Sequence, residues 1–175
     1  MQPCSINAFH FDRLYFCSQA LKADAEQAGF RVSHAEVIYP GIPTDRFYSE
    51  VKPPSPPVRK FPMVSRLSAK SGAITALEGL KLALKNQVEA TLSIYGRGES
   101  EQMAQLCSYV VQHGLPVEFL TVTNQQKDLA QVYPQHDAYF CGAEWHEPFA
   151  LAPLEAMASG IRVIGARTGG VLQLL

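Results

Sequence analysis

The sequence lacks any run approaching the ~18 consecutive apolar residues that a membrane span requires. Its opening, MQPCSINAFHFDR, has no basic segment followed by an apolar core, so it does not read as a signal peptide. The expected location is cytoplasmic, with no membrane span and at most a peripheral membrane association. An excess of one charge is also missing: 15 Lys and Arg stand against 16 Asp and Glu, a net charge of −1. The basic residues are scattered, without the stripe that neutralises a phosphate backbone, so no nucleic-acid partner is expected. Cysteine is scarce. Cys4, Cys17, Cys107 and Cys141 have no C-x-x-C spacing and share no pattern with the five histidines. That argues against a zinc site or a disulfide framework and suits a reducing compartment. Each cysteine reads as a small buried hydrophobe.

What the chain does have is apolar residues, 47% against 18% charged, enough for a sizeable core. Prolines concentrate in EVKPPSPPVRKFP (50–62), which reads as an extended linker, placed at 48–60. Beyond it, short apolar runs predict strands at 61–65, 90–96, 116–120, 137–141 and 161–165. Helical spacing fills the gaps at 73–86, 100–113, 126–133 and about 150–159, with Gly114 and Gly160 where left-handed C-caps belong. Strands alternating with helices imply right-handed crossovers and a parallel sheet covered on both faces. Ahead of the linker, 14–18, 19–29 and 35–41 predict one β-α-β unit, too small to bury its own core. In open parallel sheets ligands bind at the carboxyl ends of the strands, so the loops there are the places to search.

Four such loops stand out. SRLSAKSG (65–72) places Arg66 and Lys70 on the way into a helix, either a diphosphate clamp at a helix N-terminus or incidental solvated charges. In YGRGES, Gly96 and Gly98 follow a strand, but Glu101 occupies the third position of G-x-G-x-x-G, so the dinucleotide fingerprint fails. Backbone approach to a ligand and an ordinary tight turn both remain open there. In EWHEPFALAPLEAMASG (144–160), Pro148 keeps Glu147 out of the helix, while Pro153 is tolerated only in a first turn. The helix then starts near 149–151, and Glu155 leans back toward the rim where Glu147 sits. Both acids are expected to face one cavity, gripping vicinal hydroxyls, with the N–H groups of Phe149, Ala150 and Leu151 aimed at an anion. The plainer alternative is one acid serving the helix dipole and one in solvent. Finally, Gly169 and Gly170 in ARTGG either approach a phosphate or sugar or form a plain strand-to-helix turn.

Taken in order, VIYPGIPTDRF (37–47), SRLSAKSG, SIYGRGE and EPFALAPLEAMASGIRVIGARTGG resemble the group 1 family of retaining glycosyltransferases over about residues 12–175. The family's Glu-x7-Glu motif matches Glu147 and Glu155. The resemblance implies the C-terminal, donor-binding half of a GT-B fold: a Rossmann-like α/β domain at 61–175, preceded by a β-α-β remnant of the acceptor-side domain at 1–47. It implies a nucleotide sugar of UDP, GDP or ADP type as substrate, an unknown acceptor, and neither cofactor nor metal. Arg66, with Lys70, Ser71, Phe149, Ala150 and Leu151, would hold the diphosphate. Glu155 would take the ribose, Glu147 the transferred sugar as the catalytic residue, and the base would lie near the loop after VEFL. Gly96, Gly98, Gly169 and Gly170 are candidate sugar or phosphate loops. Transfer would proceed with attack on the donor face and electrostatic stabilisation of the leaving diphosphate.

The sequence departs from the family pattern at four points. Lys70 comes one residue early and Ser71 stands in the lysine slot. Ala150 replaces the usual glycine, and Leu172 and Gln173 replace a common proline and glutamate. The acceptor half, with its catalytic histidine, and the closing C-terminal helices are not in the sequence. Activity of the chain alone is therefore not expected. Two alternatives to the transferase reading stand: a non-catalytic nucleotide-sugar-binding or assembly module with a degenerate site, and a sugar-nucleotide epimerase. Because the β-α-β unit has no parent domain to pack on, self-association is expected.

Overall fold

The computed structural model describes residues 7, 10–49, 57, 59–121 and 125–175, without the side chains of 125–128. Most of the expected proline-rich linker, and much of the loop expected near a nucleotide base, lie outside the described residues.

The N-terminal unit is β1 (Tyr15–Phe16), α1 (Gln19–Gln27) and β2 (Glu36–Val37), with β1 and β2 parallel. Ser18 starts α1: its buried hydroxyl accepts from Leu21 N–H at 3.0 Å. Both strands are two residues long, shorter than predicted, because this sheet has only two strands. The helix stops at Gln27, ahead of Gly29 at φ +84°. A short α2 (Thr44–Phe47), not foreseen, buries Phe47 with its ring 6.1 Å from that of Tyr133. Phe47 thereby joins the buried cluster that contains Tyr133 and Tyr139.

The main sheet follows. β3 (Lys60–Val64), β4 (Thr91–Tyr95) and β5 (Val117–Leu120) form one parallel ladder, with Met63 opposite Ile94 and Ile94 opposite Phe119. β6 (Ala138–Cys141) pairs in parallel with β7 (Arg162–Gly165). β6 lies beside β3: Asp137 N–H donates to Lys60 O at 2.9 Å and Tyr139 Oη donates to Val64 O at 3.0 Å. The order across the sheet is thus β5-β4-β3-β6-β7. Between β3 and β6 the ladder is interrupted. Lys60 N–H goes to the Asp137 carboxylate at 2.8 Å, and Pro62, two residues further along the same edge, has no N–H to give.

Helices cover both faces, as the period-two alternation of the strands requires. Met63 and Ile94 join α3 (Ala73–Lys85) and α4 (Ser100–His113) in one core, through Leu77 and Leu106. Their strand neighbours Val64 and Tyr95 join the other core, with Leu129, Tyr133, Tyr139 and Ala156 from α5 (Gln125–Val132), the 3-10 turn Tyr133–Gln135, β6 and α6 (Leu151–Ala158). α4 ends at Gly114 (φ +58°) and α6 just before Gly160 (φ +77°), the left-handed stops that the sequence predicted. Of the described cysteines only Cys141 is buried. Cys107 is exposed because it sits one step around α4 from the core-facing Leu106.

The β-α-β unit is not left without a surface. Ala20 N–H donates to Gln173 Oε1 at 3.3 Å and Gln173 Nε2 donates to Tyr39 Oη at 3.4 Å. Among the described residues no helix is long and apolar enough to cross a membrane.

Candidate functional site

The strand order reverses between β3 and β6, and a parallel sheet opens a crevice at such a switch point. The loops after these strands meet there. Glu144 N–H donates to Lys70 O at 3.0 Å, and a Cβ on Gly72, the positive-φ residue ahead of α3, would lie 1.7 Å from Gly142 O. Between the loops is a cleft of about 390 Å³.

Arg66 and Ser71 from the first loop line this cleft, as do Trp145, Glu147, Phe149, Ala150 and Leu151 from the second. Arg66 is exposed. Glu147 is half-buried, and that burial raises its carboxyl above the usual range, opposed by the Arg66 charge and a hydrogen bond to Trp145. Ala150 occupies the N-cap of α6 in extended backbone, and no side chain caps the helix. The first-turn N–H groups of Leu151 and Ala152 are therefore left for a ligand or solvent, with Pro153 inside the first turn as predicted. A guanidinium and an uncapped helix start thus face one crevice, with a carboxylate beside them, an arrangement whose chemistry suits an anion.

Other expected positions fall elsewhere. Glu155 does not line this cleft. Its Oε2 accepts from Tyr133 Oη at 3.0 Å on the second-core side of α6. Burial raises the Glu155 carboxyl, and the Tyr133 hydroxyl opposes that rise. The expectation that both acids face one cavity is corrected in this respect: a buried tyrosine hydroxyl needs a partner, and Glu155 provides it. The two acids still share a neighbour, since both push the buried Tyr139 hydroxyl upward, behind burial itself and Cys141. Lys70 is exposed and does not line the cleft. Ser71 is buried at the cleft wall, its Oγ accepting from Ala73 N–H at 3.3 Å.

The two glycine pairs also divide. A Cβ on Gly96 would lie 1.9 Å from Ser65 O, and one on Gly98 2.5 Å from Leu67 O. These glycines let the 65–67 and 96–98 backbones zip together, with Leu67 N–H donating to Arg97 O at 2.8 Å. Gly169 (φ +53°) and Gly170, in the 3-10 turn Gly169–Gln173, press instead on the loop that bears Glu147. A Cβ at Gly169 would be 2.3 Å from Glu147 O, and Gly170 N–H donates to Glu147 O at 2.6 Å.

Sequence reasoning missed Trp145 and Tyr133. The single tryptophan beside the Glu-x7-Glu block was a usable signal. Tyr133 offered none, since it meets Glu155 from 22 residues away.

The model of the family "Glycosyl transferases group 1" matches residues 46–175. A probable sucrose-phosphate synthase of Thermosipho melanesiensis is 32% identical over 150 residues, 79% of this chain but 34% of that protein. Sulfoquinovosyl transferase of Arabidopsis thaliana is 33% identical over 105 residues, 59% of this chain and 19% of that protein. Among solved structures, HepE of Anabaena in complex with UDP and glucose superposes with a TM-score of 0.83 at 24% identity, over 97% of this chain and 48% of HepE. HepE in complex with UDP-glucose superposes at 0.80 and 26% identity, over the same shares. The chain thus spans about a third or less of the length of these curated relatives and about half of HepE, and it shares the α/β architecture of GT-B glycosyltransferases. By the extent of the family match, this chain belongs to the group 1 glycosyl transferases.

Proposed function

We propose that the chain supplies the donor-binding half of a retaining, nucleotide-sugar-dependent glycosyltransferase. The observation that supports it best is the convergence of Arg66, Glu147 and the uncapped start of α6 in one cleft at the sheet's switch point. In this reading Arg66 and the N–H groups around Phe149, Ala150 and Leu151 hold the diphosphate, and their positive field stabilises it as it leaves. Glu147 takes hydroxyls of the transferred sugar, and Glu155 takes the ribose once the Tyr133 hydroxyl releases or shares its carboxylate. Lys70 adds long-range positive charge, and Ser71 offers a neutral hydroxyl where a cation would bind harder. Gly169 and Gly170 act through the backbone of Glu147, while Gly96 and Gly98 hold the Arg66 loop in place. The UDP-glucose bound by HepE favours a uridine donor over GDP or ADP. A cytoplasmic setting, where nucleotide sugars are plentiful, suits this reading.

Calorimetric titration with UDP, GDP and ADP is the test. Binding of at least one is expected, with UDP the tightest, and silence from all three at millimolar concentration overturns the proposal.

A second reading, a non-catalytic module with a weakened site, draws on Ser71 and Ala150. Ser71 spends its hydroxyl on the start of α3, and Ala150 brings a methyl to the cleft wall. Under this reading the parent chain binds no nucleotide, and Ser71→Lys with Ala150→Gly creates the affinity.

A further inference from the structure

We propose that Asp24 and His146 are positioning residues that set the Glu147 carboxylate for the sugar part of the donor, a step that rests on the donor-binding reading above. His146 directly precedes Glu147, and its Nδ1 bonds Asp24 Oδ2 on α1 of the N-terminal unit. Because a carboxylate oxygen accepts, the ring nitrogen is the donor. Two residues beyond Glu147, the Phe149 ring packs 6.0 Å from the Tyr39 ring, also of the N-terminal unit. Glu147 is thus flanked on both sides by residues held from the other unit.

The rear of the same loop is fixed by the Gly169–Gln173 turn, where Gly170 N–H holds Glu147 O at 2.6 Å. That turn closes the circuit, because its Gln173 bonds both Ala20 N–H and Tyr39 Oη. Three elements distant in sequence therefore meet on one four-residue loop, and the residue they enclose is the half-buried acid of the cleft. Arg66 reaches the cleft from the opposite loop and takes no part in this arrangement. The diphosphate end of the site also draws on Arg66 and the start of α6, so it depends on the clasp less than the sugar end does.

The pair is well suited to a positioning role and poorly suited to a stabilising one. The side chains are 52% and 35% exposed, and a polar pair in such surroundings contributes little to folding. Breaking this one leaves the fold intact and frees the loop.

The experiment compares UDP with UDP-glucose by calorimetry on the parent chain and on Asp24→Ala, His146→Ala and His146→Asn. Asparagine places its amide nitrogen where Nδ1 stands, so it keeps the bond to Asp24. Both alanine variants are expected to lower UDP-glucose affinity about tenfold, the effect of a lost preorganised contact, while UDP affinity changes less than about twofold. His146→Asn is expected to restore most of the loss. Hydrogen exchange provides a readout that needs no ligand: the Gly170 amide should exchange faster in Asp24→Ala and at the parent rate in His146→Asn. Equal losses for both ligands, failure of asparagine to restore, or unchanged Gly170 exchange each overturn the clasp while leaving the donor site standing. A parent chain that binds neither ligand overturns the donor site itself.

Discussion

Two glycine-bearing turns, Gly96-Arg97-Gly98 and Gly169-Gly170, look alike in the sequence and do different jobs in the fold. Each follows a strand; the first leads into α4 and the second opens the 3-10 turn Gly169–Gln173. The first meets the backbone of Ser65 and Leu67, fastening the base of the Arg66 loop to the next strand. The second meets the backbone of Glu147 and Pro148, fastening the loop that bears the acid. In both, glycine is required because another backbone occupies the space a Cβ would take, with no phosphate needed to explain it. The difference lies in what the contacted backbone carries onward: an exposed, adjustable guanidinium in one case, a half-buried carboxylate in the other.

The largest expected effects test that contrast. Gly96→Ala and Gly170→Ala each force a methyl into a carbonyl and should destabilise by about 3 kcal/mol, lowering Tm by roughly 6–12 °C. Measured well below the transition, Gly96→Ala should lower UDP-glucose affinity less than Gly170→Ala does. Equal affinity losses would break the comparison. Next, Arg66→Ala should weaken UDP binding by about thirtyfold, the order expected for lost charge-assisted hydrogen bonds, and titration calorimetry in rising salt should show the parent converging on the variant.

Glu147→Gln should cost about tenfold in UDP-glucose affinity with UDP nearly unchanged. It also has a pH signature. The folded carboxyl lies above its usual value of 4.5, so the folded chain binds the proton more tightly than the unfolded one. Stability therefore declines as pH rises from that value through the folded pKa, and Glu147→Gln should flatten this decline in denaturant titrations. The smallest expected change is a gain. Ser71→Lys should raise UDP affinity about threefold, a modest return because the new ammonium replaces a hydroxyl already engaged at α3.

The main sheet was legible in the sequence because apolar runs of four or five residues are separated by full helical periods. The predicted strand at 90–96 contains β4, and the predicted helix at 100–113 matches α4 residue for residue. The N-terminal strands were over-extended, since an apolar run says nothing of whether a neighbouring strand exists to pair with it. α2 escaped notice because four residues leave no period to read, yet its Phe47 joins the buried cluster that contains Tyr133 and Tyr139. In the site, the prolines correctly placed Glu147 before α6 and Pro153 inside its first turn. What could not be read was the destination of Glu155. Spacing specifies which way a side chain leans, but a hydrogen bond from Tyr133 depends on how α6 packs against the preceding 3-10 turn. The Asp24–His146 pair was invisible for the same reason, being 122 positions apart.

Pro62 gives the molecule a seam. With no amide hydrogen to offer β6, it leaves the β3-β4-β5 and β6-β7 ladders as two blocks, touching side by side without continuous rungs. Arg66 hangs from the first block and Glu147 from the second, so the crevice straddles the seam. A ligand gripping both would act as a rivet, coupling opening of one block to opening of the other. Amide protection in the two ladders should then differ in the free chain and rise together when the donor is bound.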